Sequence, residues 1–279
     1  MDVSWLGPPL DVRPLFPEER AELLGLLASL SPADRTRPTV CPGWDVGDVT
    51  AHILHGYVRR LSNGRDDHRG GPSPGPGESL PAFLTRANED FVATSRQLSP
   101  RLTADLIAHL GPQVDALWAD AVLAGPAGVA VSWASPDAPT PAWLDLAREY
   151  TERWTHQQQI RDAVLRPGAD APRLLGPVLD TFLRALPQTL RGVDAAVGSG
   201  VRVTVPGSAG GRWTAVRRPE RWELADDRGP PAAEVVIGAD TLWRLATRGI
   251  GPGEARRRAE LHGDALLCDA VLGILAVVR

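Results

Sequence analysis

The sequence predicts an α+β chain of two domains: an N-terminal helical bundle over residues 1–166 and a small α+β domain over 167–279. Three observations predict it. Apolar residues recur at helical spacing in successive stretches before residue 166. A segment rich in Pro and Gly, Arg166 to Pro172, then breaks the chain as a hinge would. Beyond it, short runs with β-branched residues or period-two alternation replace long helical patterns. The length of 279 residues suits two domains at roughly 100 to 200 residues each. With 43% hydrophobic and 23% charged residues, the chain has the composition of a globular protein with a core.

The elements follow in order. Helical patterning begins at about Pro17 and carries Leu23, Leu24, Leu27 and Leu30, stopping near Ser31-Pro32. A turn at Cys41-Pro42-Gly43-Trp44 precedes a helix from Val46 to Leu61, with Asp45 as its cap and Asp48 where a capping box would place Glu. Residues Ser62 to Glu78 are rich in Gly, Pro and charge and read as a mobile loop. They contain no GxxxxGK[ST] phosphate-binding pattern. Helices at about Leu80 to Gln97 and Leu102 to Leu123 follow, then a breaker region, Gly125 to Pro141, and a long helix from about Ala142 to Leu165. After the hinge come a helix at Leu174 to Arg191 and strands at Val201 to Val205, Arg212 to Val216, Trp222 to Ala225 and Ala233 to Ile237. A helix starts near Asp240, and a last one runs from Asp264 to Val278.

The charge balance excludes one class of function. A net charge of −4 provides no basic field to gather nucleic acid or an anionic membrane, although every one of the 30 basic residues is Arg. The longest apolar stretch, near Ala270 to Val278, is shorter than the ~20 residues a membrane helix needs. The first twenty residues hold acidic side chains and lack the apolar run of a secretory signal. Cys41 and Cys268 are far apart with no CxxC spacing, which reads as two reduced thiols in a cytoplasmic protein.

Chemistry concentrates on two helices. Glu152 and His156 are four residues apart, so they share a helix face and can reach one ion. They lie at the edge of the apolar stripe of Leu146, Tyr150 and Trp154, as does Glu149. On the earlier helix His52 lies at the margin of the apolar face beside Val49 and Gly56, whereas His55 falls on the polar side with Asp48. His52 is therefore the better ligand and His55 a surface or supporting residue. Two His and one Glu leave a fourth tetrahedral position open, as in catalytic zinc. The plainer alternative stays open: a His–Glu pair at this spacing is most often a surface hydrogen bond.

The stretch TVCPGWDVGDVTAHILHG, Thr39 to Gly56, resembles the mycothiol-dependent maleylpyruvate isomerase family, and EYTERWTHQQQIRDAV, Glu149 to Val164, resembles that family's later metal helix. The motifs stand in the family's order and occupy about 35 residues, while the resemblance extends over nearly the whole chain. It implies a DinB-like four-helix bundle followed by a small, sterol-carrier-like α+β domain. It further implies that His52, Glu152 and His156 hold a divalent metal, with zinc as the expected occupant. Mycothiol would be the thiol cofactor and a small molecule the substrate, the zinc-bound thiolate attacking it in an isomerase or S-transferase. Two other functions remain possible at this stage. One is a hydrolase using zinc-activated water, with Glu149 as base; the other is a non-catalytic ligand-binding protein with a structural metal.

The remaining candidates are weaker. Arg212, Arg217, Arg218 and Arg221 surround the expected strands and could bind carboxylates, since a guanidinium grips them bidentately. Arg212, next to Trp213, is the preferred one, and a solvated charged face explains the others. Cys41 reads as a buried structural thiol rather than a nucleophile. Gln157, Gln158 and Gln159 read as polar helix surface, with some chance of supporting the metal ligands. His68 and His109 read as surface residues, and His262 as part of the cap of the last helix.

Overall fold

The computed structural model describes residues 3–136 and 139–277, which divide into two compact units. One comprises 12–122 and 152–169; the other comprises the described residues of 1–11, 123–151 and 170–278. The division therefore crosses the chain more than once, and one crossing, at 169/170, falls near the expected boundary at 166/167. Among the described residues no helix is long and apolar enough to cross a membrane.

The first unit is the helical bundle. It contains α1 (Phe16–Ser29), α2 (Pro32–Arg35), α3 (Val46–Arg59), α4 (Leu80–Ser95), α5 (Pro100–Ala119) and the part of α6 (Ala142–Val164) from residue 152 onward. Local chemistry starts these helices. Ser79 and Ser99 accept the amides of Ala82 and Leu102, and each is followed within two residues by a proline. At α3 a shorter acid completes the capping box: Asp45 accepts the amide of Asp48 at 2.9 Å, and Asp48 accepts that of Asp45 at 3.3 Å.

A closed circuit of four helices forms the bundle. α5 packs against both α1 and α3. α6 is tied to α1 by Gln157 bonding Glu19 and Arg161 bonding Glu22, and to α3 by His52 meeting Glu152. Phe16, Leu23, Leu54, Tyr57, Ile107 and Trp154 are buried side chains of this core. α4 lies on the outer side of α3. The chain after α3 widens into one π-helical turn, Arg60–Arg65, so the expected loop begins later than Ser62. The first residues of the segment expected as a hinge pack on α6 within this unit: Trp154 Nε1 donates to the carbonyl of Ala169 at 2.7 Å and Gln158 Nε2 to that of Gly168 at 3.0 Å.

The second unit is built on a five-stranded sheet of order β3-β2-β1-β4-β5. The strands are β1 (Gly200–Val205), β2 (Gly211–Arg217), β3 (Trp222–Ala225), β4 (Ala233–Ile237) and β5 (Ala259–Gly263). β1 and β4 are parallel and the other neighbours antiparallel, with Val203 opposite both Trp213 and Val235. The buried-intermediate alternation of β4 puts Ala233, Val235 and Ile237 on one covered face. The helices of this unit are α7 (Pro172–Leu183), α8 (Leu186–Thr189), α9 (Ala239–Ala246), α10 (Pro252–Arg257) and α11 (Ala265–Val271).

Three expectations need correction here. The helix read from Leu174 to Arg191 is two helices, because Pro187 has no amide to continue the α7 ladder and its ring crowds the carbonyl four residues back. β5 was not anticipated: its apolar-polar alternation covers only the four residues Ala259 to His262, without β-branched or aromatic side chains, and pairing with β4 makes it a strand. His262 therefore belongs to β5, while Asp264 alone caps α11 through the amides of Leu266 and Leu267. α11 ends at Val271, short of the expected Val278, which lies outside the described residues. Past Gly273 the chain bonds elsewhere, Ala276 N donating to the carbonyl of Ala246 at 2.9 Å.

Candidate metal centre

The turn before α3 prepares one wall of the site. Trp44 N donates to the carbonyl of Cys41 at 3.1 Å, and Gly43 between them has φ +80°, the third-position geometry of a type II turn that Pro42 favours from the second. Thr39 fixes the turn from within, accepting the amide of Cys41 at 3.1 Å and donating its hydroxyl to the carbonyl of Trp44 at 2.9 Å. α3 then carries His52 two turns along, where its ring lies 5.1 Å from that of Trp44. Trp44 is anchored in turn by Glu89, which accepts its Nε1–H at 3.0 Å.

α6 brings the other donors. Glu152 Oε1 lies 3.3 Å from His52 Nε2 and 3.1 Å from His156 Nε2, and the two imidazoles meet edge to face with centroids 4.6 Å apart. Among the described residues these three form the one group whose ligand atoms, all within 4.8 Å of one another, could hold an ion. The histidine side chains are nearly buried, at 13% and 14% exposed, whereas Glu152 at 42% keeps the cluster reachable from solvent. Two ring nitrogens and a carboxylate oxygen form a donor set suited to zinc and its neighbours.

Electrostatics among the three side chains follow from the same contacts. Removal from water raises the Glu152 carboxyl, but the His156 imidazole and the hydrogen bonds from both histidines outweigh it, holding the group well below the ordinary carboxylate value. For His156, burial disfavours the charged ring, yet the Glu152 carboxylate and hydrogen bonds push it up to about 10.

A family model, the mycothiol maleylpyruvate isomerase N-terminal domain, matches residues 16–161. The chain belongs to the mycothiol maleylpyruvate isomerase family. Two solved structures share its fold. One, a histidine-to-alanine mutant of the mycothiol-dependent maleylpyruvate isomerase, is 15% identical, with 95% of this chain and 98% of that chain covered and a TM-score of 0.55. A second structure of the mycothiol-dependent maleylpyruvate isomerase is 17% identical, with 89% and 93% covered and a TM-score of 0.54. No curated protein sequence matches the chain. The family match spans all three converging donors, and the structural likeness extends through the sheet-containing unit.

Other residues considered for this family member fall as follows. His55 does not lie on a polar surface: it is 5% exposed and stacks on Phe91 of α4 at 4.3 Å, because α4 covers that side of α3. Burial, followed by the positive charge of Arg59, pushes its pKa down to about 4. Glu149 belongs to the other compact unit, is buried, and is bonded by Arg148 at 3.1 Å. Arg212 also lies in that unit, on β2, where it lines a cavity of about 660 Å³ with Asp180, Arg184, Arg202 and Trp213. Arg218 and Arg221 make loose pairs with Glu223 at 3.6 Å and Glu220 at 3.9 Å, as a solvated face would. His68 and His109 are exposed.

Sequence reasoning missed three neighbours of the cluster. Trp44 was read as part of a turn, Cys41 as a buried thiol, and Gln159 chiefly as helix surface. Cys41 is only partly buried, its Sγ 3.2 Å from Gln159 Oε1, and the same oxygen lies 2.7 Å from His156 Nδ1. Gln157 is fully buried against Glu19. The available signal was spacing: Gln159 is three residues beyond His156 and must share its side of the helix.

Proposed function

We propose that this protein is a mycothiol-dependent isomerase or S-transferase whose metal is held by His52, Glu152 and His156. The observation that carries the proposal is the convergence of these three donors, at a solvent-reachable point, inside the region matched by the family model. A divalent ion there, zinc by the donor chemistry, has one positive charge left after Glu152 is counted and would favour the deprotonated form of a bound thiol. His52 and His156 contribute neutral nitrogens and no further charge. Trp44 shields the His52 side of the site and leaves the Glu152 side open.

The substrate side of the proposal assigns carboxylate binding to Arg212, supported by its place in a cavity beside Trp213. For Glu149 its burial and its ion pair with Arg148 support a structural role within α6, ahead of the acid-base role considered from sequence. A cytoplasmic setting, where both free cysteines stay reduced, belongs to the same proposal.

The test is conversion of maleylpyruvate, the compound named in the family, by zinc-loaded protein with and without mycothiol. Turnover that requires the thiol and disappears in His52→Ala is the expected result. Turnover of an ester or amide without any thiol would instead identify a hydrolase, and failure to bind mycothiol would remove the thiol chemistry altogether.

A further inference from the structure

The amide of Gln159 stands behind one of the three donors. It lies one helical turn beyond His156 on α6 and is 9% exposed. Its Oε1 lies 2.7 Å from His156 Nδ1 and accepts from the Cys41 thiol at 3.2 Å. With Oε1 turned to both groups, the amide NH₂ points away from them. Cys41 is itself fixed by the Thr39 hydroxyl and the Pro42-Gly43 turn, so the thiol approaches from a stiff segment.

An imidazole with one proton can carry it on either nitrogen. Glu152 Oε1, 3.1 Å from His156 Nε2, favours the wrong one, since a proton on Nε2 is hydrogen-bonded there and hides the lone pair. A group that bonds the proton at Nδ1 opposes this and leaves Nε2 bare toward the cluster. Its neighbours serve elsewhere: Gln157 bonds Glu19 and Gln158 bonds Gly168.

We propose that Gln159 is a positioning residue of the metal centre, holding the His156 proton on Nδ1 so that Nε2 faces Glu152 and His52, with the Cys41 thiol supporting the Gln159 oxygen as a second donor. The inference rests on the reading that these three residues hold a metal.

Zinc affinity, measured by competition with a chromophoric chelator, tests it together with the visible absorption of the cobalt-substituted protein and the melting temperature of the metal-free form. Gln159→Leu removes the acceptor and should weaken zinc about 10- to 100-fold and alter the cobalt bands, with the metal-free melting temperature unchanged. Gln159→Glu restores an acceptor oxygen and should recover most of that affinity. Cys41→Ser keeps a donor and should match the unmodified protein, while Cys41→Val should bind zinc a few-fold more weakly. Equal zinc binding by Gln159→Leu and Gln159→Glu overturns the inference. If Gln159→Leu does not fold, the two Cys41 variants decide, and equal affinity between them overturns it. Absence of stoichiometric zinc from the unmodified protein is a different result, because it removes the metal reading and the inference together.

Discussion

Two polar clusters hang from α6 one residue out of phase, and they are completed in opposite ways. Arg153, Gln157 and Arg161 point into the bundle and meet complementary partners: Glu19 bonds Gln157 at 2.9 Å, Glu22 bonds Arg161 at 3.0 Å, and the guanidinium of Arg153 sits 4.0 Å from the Tyr57 ring centroid and 4.8 Å from that of Trp118. Cations face anions or ring faces and an amide faces a carboxylate, so most bonds of that cluster come from its own members, while Glu19 Oε2 is buried without a hydrogen-bond partner among the described residues. Glu152, His52 and His156 instead aim lone pairs at one another, and protons or a cation must close the group. Burial of complementary groups builds structure; convergence of like acceptors points to an ion.

The largest effect that would test this contrast is loss of a ligand. Glu152→Ala should reduce zinc affinity by well over the roughly 100-fold upper range of a supporting residue. Its metal-free fold should persist by circular dichroism, because the carboxylate is 42% exposed. If zinc binding survives, the converging cluster is no more than a hydrogen-bonded group like its neighbour.

The closed cluster has its own signature in pH. Burial raises Glu19 from 4.5 to about 7, against the opposing pull of Arg153, Gln157, Arg20 and Arg161. A raised carboxyl pKa favours the protonated folded state, so its contribution is complete below about 4.5 and is lost as pH rises through about 7. The loss is on the order of 3 kcal/mol. Urea unfolding across this range should show it as a difference between the parent and Glu19→Gln, whose profile lacks that component. Coincident profiles would mean that Glu19 is not held protonated by the fold.

An opposite dependence belongs to the open cluster. Metal must displace the proton that Glu152 helps hold on His156 up to about pH 10. Zinc affinity should therefore climb about tenfold per pH unit from neutrality toward that value, as measured by chelator competition. A flat profile would mean that His156 is not a ligand. The smallest change is Gly43→Ala, which places a side chain at φ +80° and should cost about 1–2 kcal/mol in urea unfolding while disturbing only the turn beside His52.

Much of the site was legible because helices repeat locally. Four-residue spacing put Glu152 and His156 together, and helical phase selected His52 over His55, which instead packs on Phe91. Phase could not say what covers each face, so His55 was read as polar surface although α4 buries it. The same gap explains β5, whose residues have little strand character until β4 supplies its hydrogen bonds.

The amino-acid order by itself determined the long helices before residue 166, the Asp45 cap, the turn at Cys41-Pro42-Gly43-Trp44 and four of the strands, because each depends on backbone preferences and periodicity over a few residues. Only the tertiary structure decided that Cys41 and Gln159 meet across 118 positions of sequence, that Trp44 flanks His52, and that one face of α6 is closed while the next is open. Those outcomes depend on which helix packs against which, and they rest on burial and hydrogen-bond complementarity between segments that are remote in the chain.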